Sequence, residues 1–243
     1  MKVMGATASS LSNIDRVENG TLLPVAKMDI VKDSPITVVM DASNGMGMAA
    51  SRKMMEMLIE KASRYGMAGG AIYNSTHYGI AGYWSGMAEK AGMIGITGAN
   101  ARPSVTPTWG VEPMMGTNPL TFTMPTDEAF PFNFDCATSI VQNGKNPNDS
   151  NKFYRLGHFF FVINPEFFMG PDTFRKTVGD ICRGLRESEK APGAEHIYTA
   201  GEKEWLAWQE RKDKGVPVGE SVQGEILAVR DKPSLPYRFP FED

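Results

Sequence analysis

Sulfur and imidazole side chains are scarce in this sequence. The 243 residues contain two cysteines, Cys136 and Cys182, and three histidines. The cysteines lie in unrelated segments and form no CxxC pair, which fits a reducing cytosol better than a disulfide scaffold. No two histidines share the spacing of metal ligands, so nothing in the sequence supports a zinc site. We therefore expect a cytoplasmic protein without a metal centre.

Long runs of one chemical character are also missing. The formal net charge is -3 and no basic stripe is present, so we expect no nucleic-acid partner. Residues 1–20 lack an apolar core of signal-peptide length, and no stretch approaches the roughly 18 apolar residues of a membrane span, so we expect no membrane partner. The length and the 42% of hydrophobic residues allow one large domain or two small ones.

The common catalytic motifs are absent. No GxGxxG fingerprint follows a predicted strand, and Ser139 lacks the GxSxG context of a nucleophile. Asp135 closes the apolar run "FNF", where a carboxylate can either hold a ligand or cap the next segment. Composition and spacing alone therefore indicate a globular α/β or α+β domain, and they identify no reaction.

Strand and helix patterns alternate between Ile36 and Thr97. "ITVVMDAS" is typical of a strand, and "AASRKMMEMLIEKASRYG" carries apolar residues at helical spacing and ends at Gly66, a typical C-cap. "GGAIYN" predicts a second strand, "AGYWSGMAEKAG" a second helix ending at Gly92, and "MIGIT" a third strand. This alternation is an α/β pattern, as found with parallel sheets.

The pattern changes after Asn100. "ARPSVTPTWGVEPMMGTNP" contains four prolines and no usable period, which predicts a long irregular loop. "LTFTMPT" and "FPFNFDCAT" predict two more strands, and "GHFFFVIN" predicts another after the turn-rich segment 143–151. We place a domain boundary near Pro165.

The last third of the sequence is rich in helix patterns. Pro171 suits the first turn of an amphipathic helix, and two further helices follow. The apolar stripe of the first of these helices, which would normally face a core, consists of Phe174, Val178, Ile181 and Leu185.

His77 lies in "IYNSTHYGIAG", between a predicted strand and a predicted helix. Ligands of α/β proteins favour such turns, and Gly79 and Gly82 would let a phosphate approach the N–H groups at the helix start. An imidazole there can transfer a proton near neutral pH, although the spacing equally allows a histidine that merely caps the turn. We expect His158 to pack half-buried in a strand and His196 to lie at a solvated strand end.

Three ordered blocks carry a further signal: "NSTHYGIAGYWSGMAEKAGMIGI", "GTNPLTFTMPT" and "FNFDCATS". They resemble the NAD(P)-dependent malate/L-lactate/L-sulfolactate dehydrogenase family, which includes ureidoglycolate dehydrogenase, diketogulonate reductase and piperideine-carboxylate reductase. The family pattern runs N-S-x-H-x-G-x-A-G-Y, G-x-I-G, G-T-N-P and D-x-A-T-S. "VENGTLLP", "GHFFFVINPEFF" and "GEKE" resemble its flanking segments.

The resemblance implies an α+β fold with a non-Rossmann cofactor domain. It implies a mixed, largely antiparallel sheet with flanking helices in the cofactor- and substrate-binding domain, 21–165, and a helix-rich domain made of 1–20 and 166–243. It implies hydride transfer between NAD or NADP and a small 2-hydroxy or 2-oxo acid, in a homodimer. The alternatives are an impaired homologue that only binds cofactor, and a cyclic-imine or ureidoglycolate enzyme of the same family.

The resemblance also assigns roles to single residues. His77 matches the family's catalytic or substrate-facing histidine, and Thr117 and Asn118 match the GTNP loop that lines the substrate site. Ala101 stands where serine is common, and Cys136 replaces a usual methionine. The positions that match cofactor-binding residues are Gly79, Asn100, Ala101, Asp135, Cys136, Ala137 and Thr138.

Two family segments have no counterpart in this sequence. No histidine precedes "DRVENG", where the family carries an S-H-G motif and an arginine that suits a substrate carboxylate. Only "NGKNPNDSN" stands between the ATS block and the FFF strand, where the family has a Gly-rich segment that contacts the cofactor. A degraded homologue, or a sequence that lacks segments of a longer protein, would explain both differences, and the intact core motifs favour the second explanation.

Overall fold

The computed structural model describes residues 13–139 and 155–242. Seven strands form one sheet in the order β1-β2-β3-β7-β4-β5-β6. Within it β2 and β3 pair in parallel, and the other five neighbouring pairs are antiparallel. The predicted α+β fold with a mixed, largely antiparallel sheet is therefore confirmed. The strands are β1 Asp29–Asp33, β2 Thr37–Asp41, β3 Met67–Ser75, β4 Ile94–Ala99, β5 Leu120–Met124, β6 Phe132–Cys136 and β7 Leu156–Ile163.

Six helices accompany the sheet in the described ranges. The predicted C-cap is confirmed, because Gly66 has a φ of 85° and donates its N–H to the Ala62 carbonyl. The loop predicted after Asn100 holds no strand until β5 begins. The helices are α1 at 13–18, α2 Gly47–Tyr65, α3 Ala81–Lys90, α4 Pro171–Glu187, α5 Glu202–Arg211 and α6 Glu220–Asp231.

The parallel sheet suggested by the alternation between Ile36 and Thr97 is only partly right. β2 and β3 are parallel neighbours, but β7 lies between β3 and β4 and runs antiparallel to both. Phe160 and Val162 of β7 are completely buried, so the central place in the sheet suits this apolar strand. Periodicity within one segment cannot reveal a strand inserted from a distant part of the chain.

Helices α2 and α3 cover one face of the sheet. Met54 and Leu58 of α2 and Trp84 of α3 pack in one buried cluster with Ile72 and Phe160 of the sheet. Full burial of one such side chain stabilises the fold by about 1.5–3 kcal/mol. This packing fixes the positions at which α2 and α3 begin, and the candidate site lies beside those positions.

The opposite face of the sheet carries half-exposed aromatic side chains. Phe159 is 39% and Phe161 43% exposed, and the ring of each lies where a Cβ of a neighbouring glycine, Gly98 or Gly69, would stand. A contiguous exposed apolar surface usually marks an interaction site. We call this surface the open face and define it by Tyr73, Ile96, Phe122, Phe134, Phe159 and Phe161.

The apolar stripe predicted on α4 is buried only in part. Phe174 and Val178 are half-buried, whereas Ile181 is 58% and Leu185 52% exposed. Charged residues also hold the helix, because Arg183 bonds Asp127 at 2.9 Å and Arg186 pairs with Glu128. These ion pairs tie α4 to the loop between β5 and β6.

A buried carboxylate joins α5 to α4. Glu202 is 7% exposed and accepts hydrogen bonds from the Thr199 N–H at 3.0 Å and from His196 at 2.8 Å, with Arg186 3.8 Å away. Burial by itself would raise the pKa of Glu202, but the bonds from Thr199 and His196 outweigh it and lower the pKa below its ordinary value of 4.5. His196 is thus hydrogen-bonded to Glu202. It was predicted to lie at a strand end, but no strand in the described ranges includes it.

We expect Glu202→Gln to lower the free energy of unfolding by about 1.5–3 kcal/mol at neutral pH, the value of hydrogen bonds to a charged group. Because folding lowers the pKa of Glu202 below its ordinary value of 4.5, this contribution is present above pH 4.5 and is lost as the pH falls through the folded pKa. Urea unfolding at pH 7 and pH 4 should show the gap to wild type closing at the lower pH. Glu204→Gln, an exposed change in the same first turn, should match wild type at both. A gap that does not depend on pH would contradict this assignment.

All seven strands lie within 21–165. The division of the chain into two domains stays a prediction.

Candidate active site

One end of the sheet collects the residues that the sequence singled out. Strands β2, β3, β4 and β6 end there, and β5 and β7 begin there, as the pairs Ala99–His158 and Leu120–Cys136 show. Helices α2 and α3 follow β2 and β3 and begin at the same end. Helix N-termini carry unpaired N–H groups and a partial positive charge, so this end of the sheet favours anionic ligand groups.

His77 lies exposed on the turn between β3 and α3. The Gly79 N–H donates a hydrogen bond to His77 Nδ1 at 3.0 Å. Gly79 has a φ of 86°, a conformation that glycine adopts without a steric penalty. Because Nδ1 accepts this bond, the neutral imidazole carries its proton on Nε2, where it can donate to a ligand.

The residue before His77 is tied to the start of α2. Thr76 is 1% exposed, and its hydroxyl donates to the Gly45 carbonyl at 3.0 Å and accepts from the Gly47 N–H at 3.1 Å. A Cβ at Gly47 would overlap the Thr76 carbonyl oxygen and stand 2.9 Å from that of His77. The backbone of the His77 turn therefore packs directly on α2, and glycine at position 47 makes this approach possible.

We expect Gly47→Ala to lower the free energy of unfolding by about 1–3 kcal/mol, the usual cost of overpacking, and to displace the His77 turn. The matched control is Gly86→Ala inside α3, where no atom lies within 4 Å of an added Cβ. That change should be neutral or stabilise the fold by roughly 0.5–1 kcal/mol. Thermal unfolding of both variants measures the difference, and equal stabilities would contradict the close approach.

The residue after His77 is held from two sides. The carbonyl of Tyr78 accepts a hydrogen bond from Trp84 Nε1–H at 2.7 Å. The Tyr78 ring stacks on the ring of His158, with centroids 4.3 Å apart and planes 3° apart. His158 Nε2 in turn lies 3.0 Å from both the Ser75 hydroxyl and the Thr76 carbonyl. His158 is 3% exposed, fully buried rather than half-buried as predicted. Burial lowers the pKa of His158 to about 4, so this ring is neutral at physiological pH.

Asp135 caps α3 from a neighbouring strand. Its Oδ2 accepts from the Gly82 N–H at 2.8 Å, and its Oδ1 accepts from the Thr121 hydroxyl at 2.8 Å. Ile80, at the N-cap of α3, supplies no side-chain bond. A Cβ at Gly82 would stand 2.8 Å from Asp135 Oδ2, so a larger residue there would disturb the contact. The carboxylate is exposed, and each oxygen has a second lone pair for a ligand hydroxyl.

The other predicted positions form a second group on adjoining loops. The Ala101 N–H donates to Asn118 Oδ1 at 3.0 Å, and the Thr138 N–H donates to the Thr117 carbonyl at 2.9 Å. The Thr138 hydroxyl donates to the Asn118 carbonyl at 3.1 Å. Asn100 Oδ1 accepts a backbone N–H of β7 at 2.7 Å. The GTNP loop, the end of β4 and the ATS block are thus bonded together.

Cys136 and Ala137 connect the two groups along the chain. Cys136 is half-buried and pairs with Leu120, and Ala137 is exposed. Sequence reasoning did not single out Thr76, Gly47 or the buried role of His158. The second glycine in "NGMGMAA", just before a helix, is a signal that could have indicated the close approach at position 47.

Two other classes of site find no support in the described ranges. No group of three or more His, Cys, Asp or Glu side chains there could hold a metal ion. In the same ranges no helix has the length and apolar character to cross a membrane.

Comparison with known proteins decides the family. The sequence profile of the malate/L-lactate dehydrogenase family matches residues 9–152 and 145–227. The chain belongs to this family. The predicted family and the predicted enzyme class, a dehydrogenase acting on CH–OH groups, are confirmed, and a dehydrogenase family implies a nicotinamide cofactor.

The relatives extend across most of the chain. Malate dehydrogenase of Pyrococcus abyssi is 28% identical, with 89% of this chain and 80% of the relative covered. L-sulfolactate dehydrogenase of Methanocaldococcus jannaschii is 29% identical, covering 89% and 81%. The crystal structure of malate dehydrogenase from Entamoeba histolytica superposes with a TM-score of 0.84 at 34% identity, covering 93% of this chain and 85% of that one.

The relatives also contain internal residues that this family member lacks. The alignment with the Pyrococcus abyssi enzyme spans 291 positions, more than the 243 residues of the chain. The two profile matches overlap at residues 145–152, which stand between β6 and β7 in the sequence. This is the place where the sequence lacks the Gly-rich family segment.

Proposed function

We propose that the chain is an NAD- or NADP-dependent dehydrogenase of small 2-hydroxy and 2-oxo acids, malate- or lactate-like in substrate. The observation that carries this proposal is the exposed His77 on a turn whose neighbours on both sides are buried and hydrogen-bonded. A side chain held in this way is already oriented for reaction, and preorganised polar groups account for much of enzymatic rate enhancement.

The residues at this end of the sheet fit a nicotinamide cofactor. The exposed Asp135 carboxylate can accept bonds from ribose hydroxyls, and no atom other than those of Met48, at 3.7 Å, crowds a Cβ built at Gly79. Asn100 and Ala101 offer a short polar and a small side chain at the end of β4. Bound there, the cofactor supplies or accepts the hydride, while the protein orients the two partners.

His77 would polarise the oxygen at which the substrate reacts. In reduction of a 2-oxo acid, the Nε2–H of the neutral ring donates a hydrogen bond that stabilises the negative charge developing on the carbonyl oxygen, and water supplies the proton that this oxygen takes up. In oxidation the same N–H stabilises the charge on that oxygen while its proton leaves to water. The Gly79 N–H bond to Nδ1 keeps Nε2 in the donating form while the ring is neutral. Thr117 and Asn118, tied to Thr138, would line the substrate side.

We expect Asp135→Asn to weaken NADH or NADPH binding by roughly 10-fold or more, because a hydroxyl donor loses a charged acceptor worth about 1.5–3 kcal/mol. The asparagine oxygen can still accept from Gly82, so the cap of α3 and the melting temperature should change little. Fluorescence titration measures the affinity. Unchanged cofactor affinity in a folded Asp135→Asn variant would restrict Asp135 to the capping role.

We also propose that the protein is a homodimer formed through the open face. Strands β3, β4, β5, β6 and β7 present an uncharged aromatic surface there. Each has at least five residues, so the five together span at least roughly 24 by 17 Å. Such a surface is self-complementary across a two-fold axis, because like apolar groups meet without charge repulsion. A second copy of the chain would remove it from water.

We also propose that the protein is cytoplasmic and that its chain forms two domains. Cys136 and Cys182 are both free thiols, as a reducing cytoplasm would leave them. Residues 21–165 would bind cofactor and substrate, and 1–20 with 166–243 would form the helix-rich domain.

A fluorescence titration with NADH and NADPH tests cofactor binding. Assays of pyruvate, oxaloacetate and a cyclic imine with the reduced cofactor, and of ureidoglycolate with the oxidised cofactor, then test the function. We expect saturable cofactor binding and turnover of at least one 2-oxo acid. Binding without any turnover would instead favour a homologue that only holds the cofactor. Turnover confined to ureidoglycolate or a cyclic imine would replace the proposed substrate class.

A further inference from the structure

His158 is a buried histidine that the proposed reaction does not use. It lies on the helix-covered face of β7, next to Ile72 of β3 and Ala99 of β4. Its Nδ1 is buried and has no hydrogen-bond partner among the residues that the structure describes. Leaving a polar nitrogen unpaired in the core is costly, and a phenylalanine could fill the same space without that cost. Packing alone therefore does not explain a histidine here.

The other ring nitrogen supplies the explanation. His158 Nε2 lies 3.0 Å from the Thr76 carbonyl, which can only accept, so Nε2 carries the ring proton and donates it. The same nitrogen lies 3.0 Å from the Ser75 hydroxyl, which can accept as well. These two residues lead directly into His77. The His158 proton is therefore on Nε2, the nitrogen that faces the His77 turn, and Nδ1 is left without a partner among the described residues.

The ring face of His158 supports the turn from the other side. Tyr78, which follows His77, stacks on it with planes 3° apart. Phe160 closes the edge of the stack, with its ring centroid 6.5 Å from that of His158. One buried side chain thus bonds the residue before His77 and stacks on the residue after it. Its low pKa keeps it neutral at physiological pH, so it adds no positive charge beside His77.

We propose that His158 is a positioning residue that holds the His77 turn in its reactive geometry through the Nε2 bond to the Thr76 carbonyl. This rests on the proposed function of His77. It assigns no contact between His158 and substrate or cofactor, and it predicts that the hydrogen bond, rather than the ring volume, is what the site requires.

Two variants separate these contributions. His158→Phe keeps a ring against Tyr78 but removes the donor, and His158→Gln restores an N–H donor without the ring. We expect His158→Phe to lower kcat at least 10-fold with little change in KM for the cofactor and with a melting temperature close to that of wild type. We expect His158→Gln to recover most of the lost kcat.

A readout without catalysis accompanies the kinetics. With three histidines in the chain, nitrogen-15 NMR can follow His77 directly, with His196 as an internal control. In wild type, His77 should show an Nε2–H tautomer with Nδ1 as acceptor. In His158→Phe we expect this pattern to weaken while the His196 signals stay unchanged.

The outcomes are distinguishable. Wild-type kcat and an unchanged His77 spectrum in folded His158→Phe would overturn the proposal, as would unfolding of both variants, which would assign His158 to stability alone. If wild type itself turns over no substrate, the proposed function fails, and the His77 spectra still decide whether His158 holds the turn.

Discussion

Replacing His77 by alanine is expected to lower kcat at least 100-fold, which corresponds to about 3 kcal/mol of barrier. The imidazole N–H is the group that would stabilise the charge developing on the substrate oxygen, and removing one such donor typically lowers kcat about 10²–10³-fold. Because the side chain is exposed and its neighbours hold the turn, the change should leave the fold intact. Steady-state kinetics with the best substrate, together with a melting curve, provides the measurement.

The matched control for this substitution is His196→Ala. His196 bonds Glu202 and lies outside the elements that form the candidate site. It should change stability slightly and kcat very little. An unchanged kcat in purified, folded His77→Ala would remove His77 from the mechanism, and equal losses in both variants would point to a general effect on the fold.

Placing a charge on the open face is expected to convert the proposed dimer to a monomer. Phe161 is 43% exposed in the single chain and its ring lies against Gly69, so a second copy would bury it. A carboxylate there would be unpaired in an apolar interface, a penalty of several kcal/mol. We expect Phe161→Glu to raise the dimer dissociation constant by at least about 100-fold, or roughly 3 kcal/mol. Sedimentation velocity over a concentration series measures the change.

The exposed stripe of α4 offers the matched control. Ile181 is 58% exposed and apolar, and it belongs to α4 rather than to a strand of the open face. Ile181→Glu should remain dimeric under conditions in which Phe161→Glu is monomeric. Dissociation by Ile181→Glu alone would move the interface to α4, and a monomeric wild type would contradict the dimer altogether.

Local patterns predicted most elements of the fold but not their assembly. The alternation of apolar residues and the glycine at 66 identified α2 and its end, because helix periodicity and C-caps are properties of short segments. The insertion of β7 between β3 and β4 depends on contacts across about ninety residues, such as Ile72 with His158, and no local pattern encodes these. The ion pairs of Arg183 and Arg186 with Asp127 and Glu128 likewise join residues far apart in the sequence.

The site was predictable where it depends on residue type and order. His77, the GTNP loop and Asp135 were identified through ordered motifs, and the structure places them at one end of the sheet. The residues that support the His77 turn were not predictable, because their role depends on contacts between segments far apart in the sequence. Thr76 bonds Gly45 in the turn after β2 and Gly47 at the start of α2, and His158 reaches Thr76 from β7. Asp135 also has a structural task, capping α3, that the sequence left open.

The most direct test of the account follows the hydride itself. The protein would be incubated with NADH or NADPH carrying two deuterium atoms at C4 of the nicotinamide, together with oxaloacetate or pyruvate, and the product analysed by mass spectrometry. The account predicts a 2-hydroxy acid with one deuterium on C2, formed by wild type and at least 100-fold more slowly by His77→Ala. Bound cofactor with no labelled 2-hydroxy acid from either substrate would contradict it.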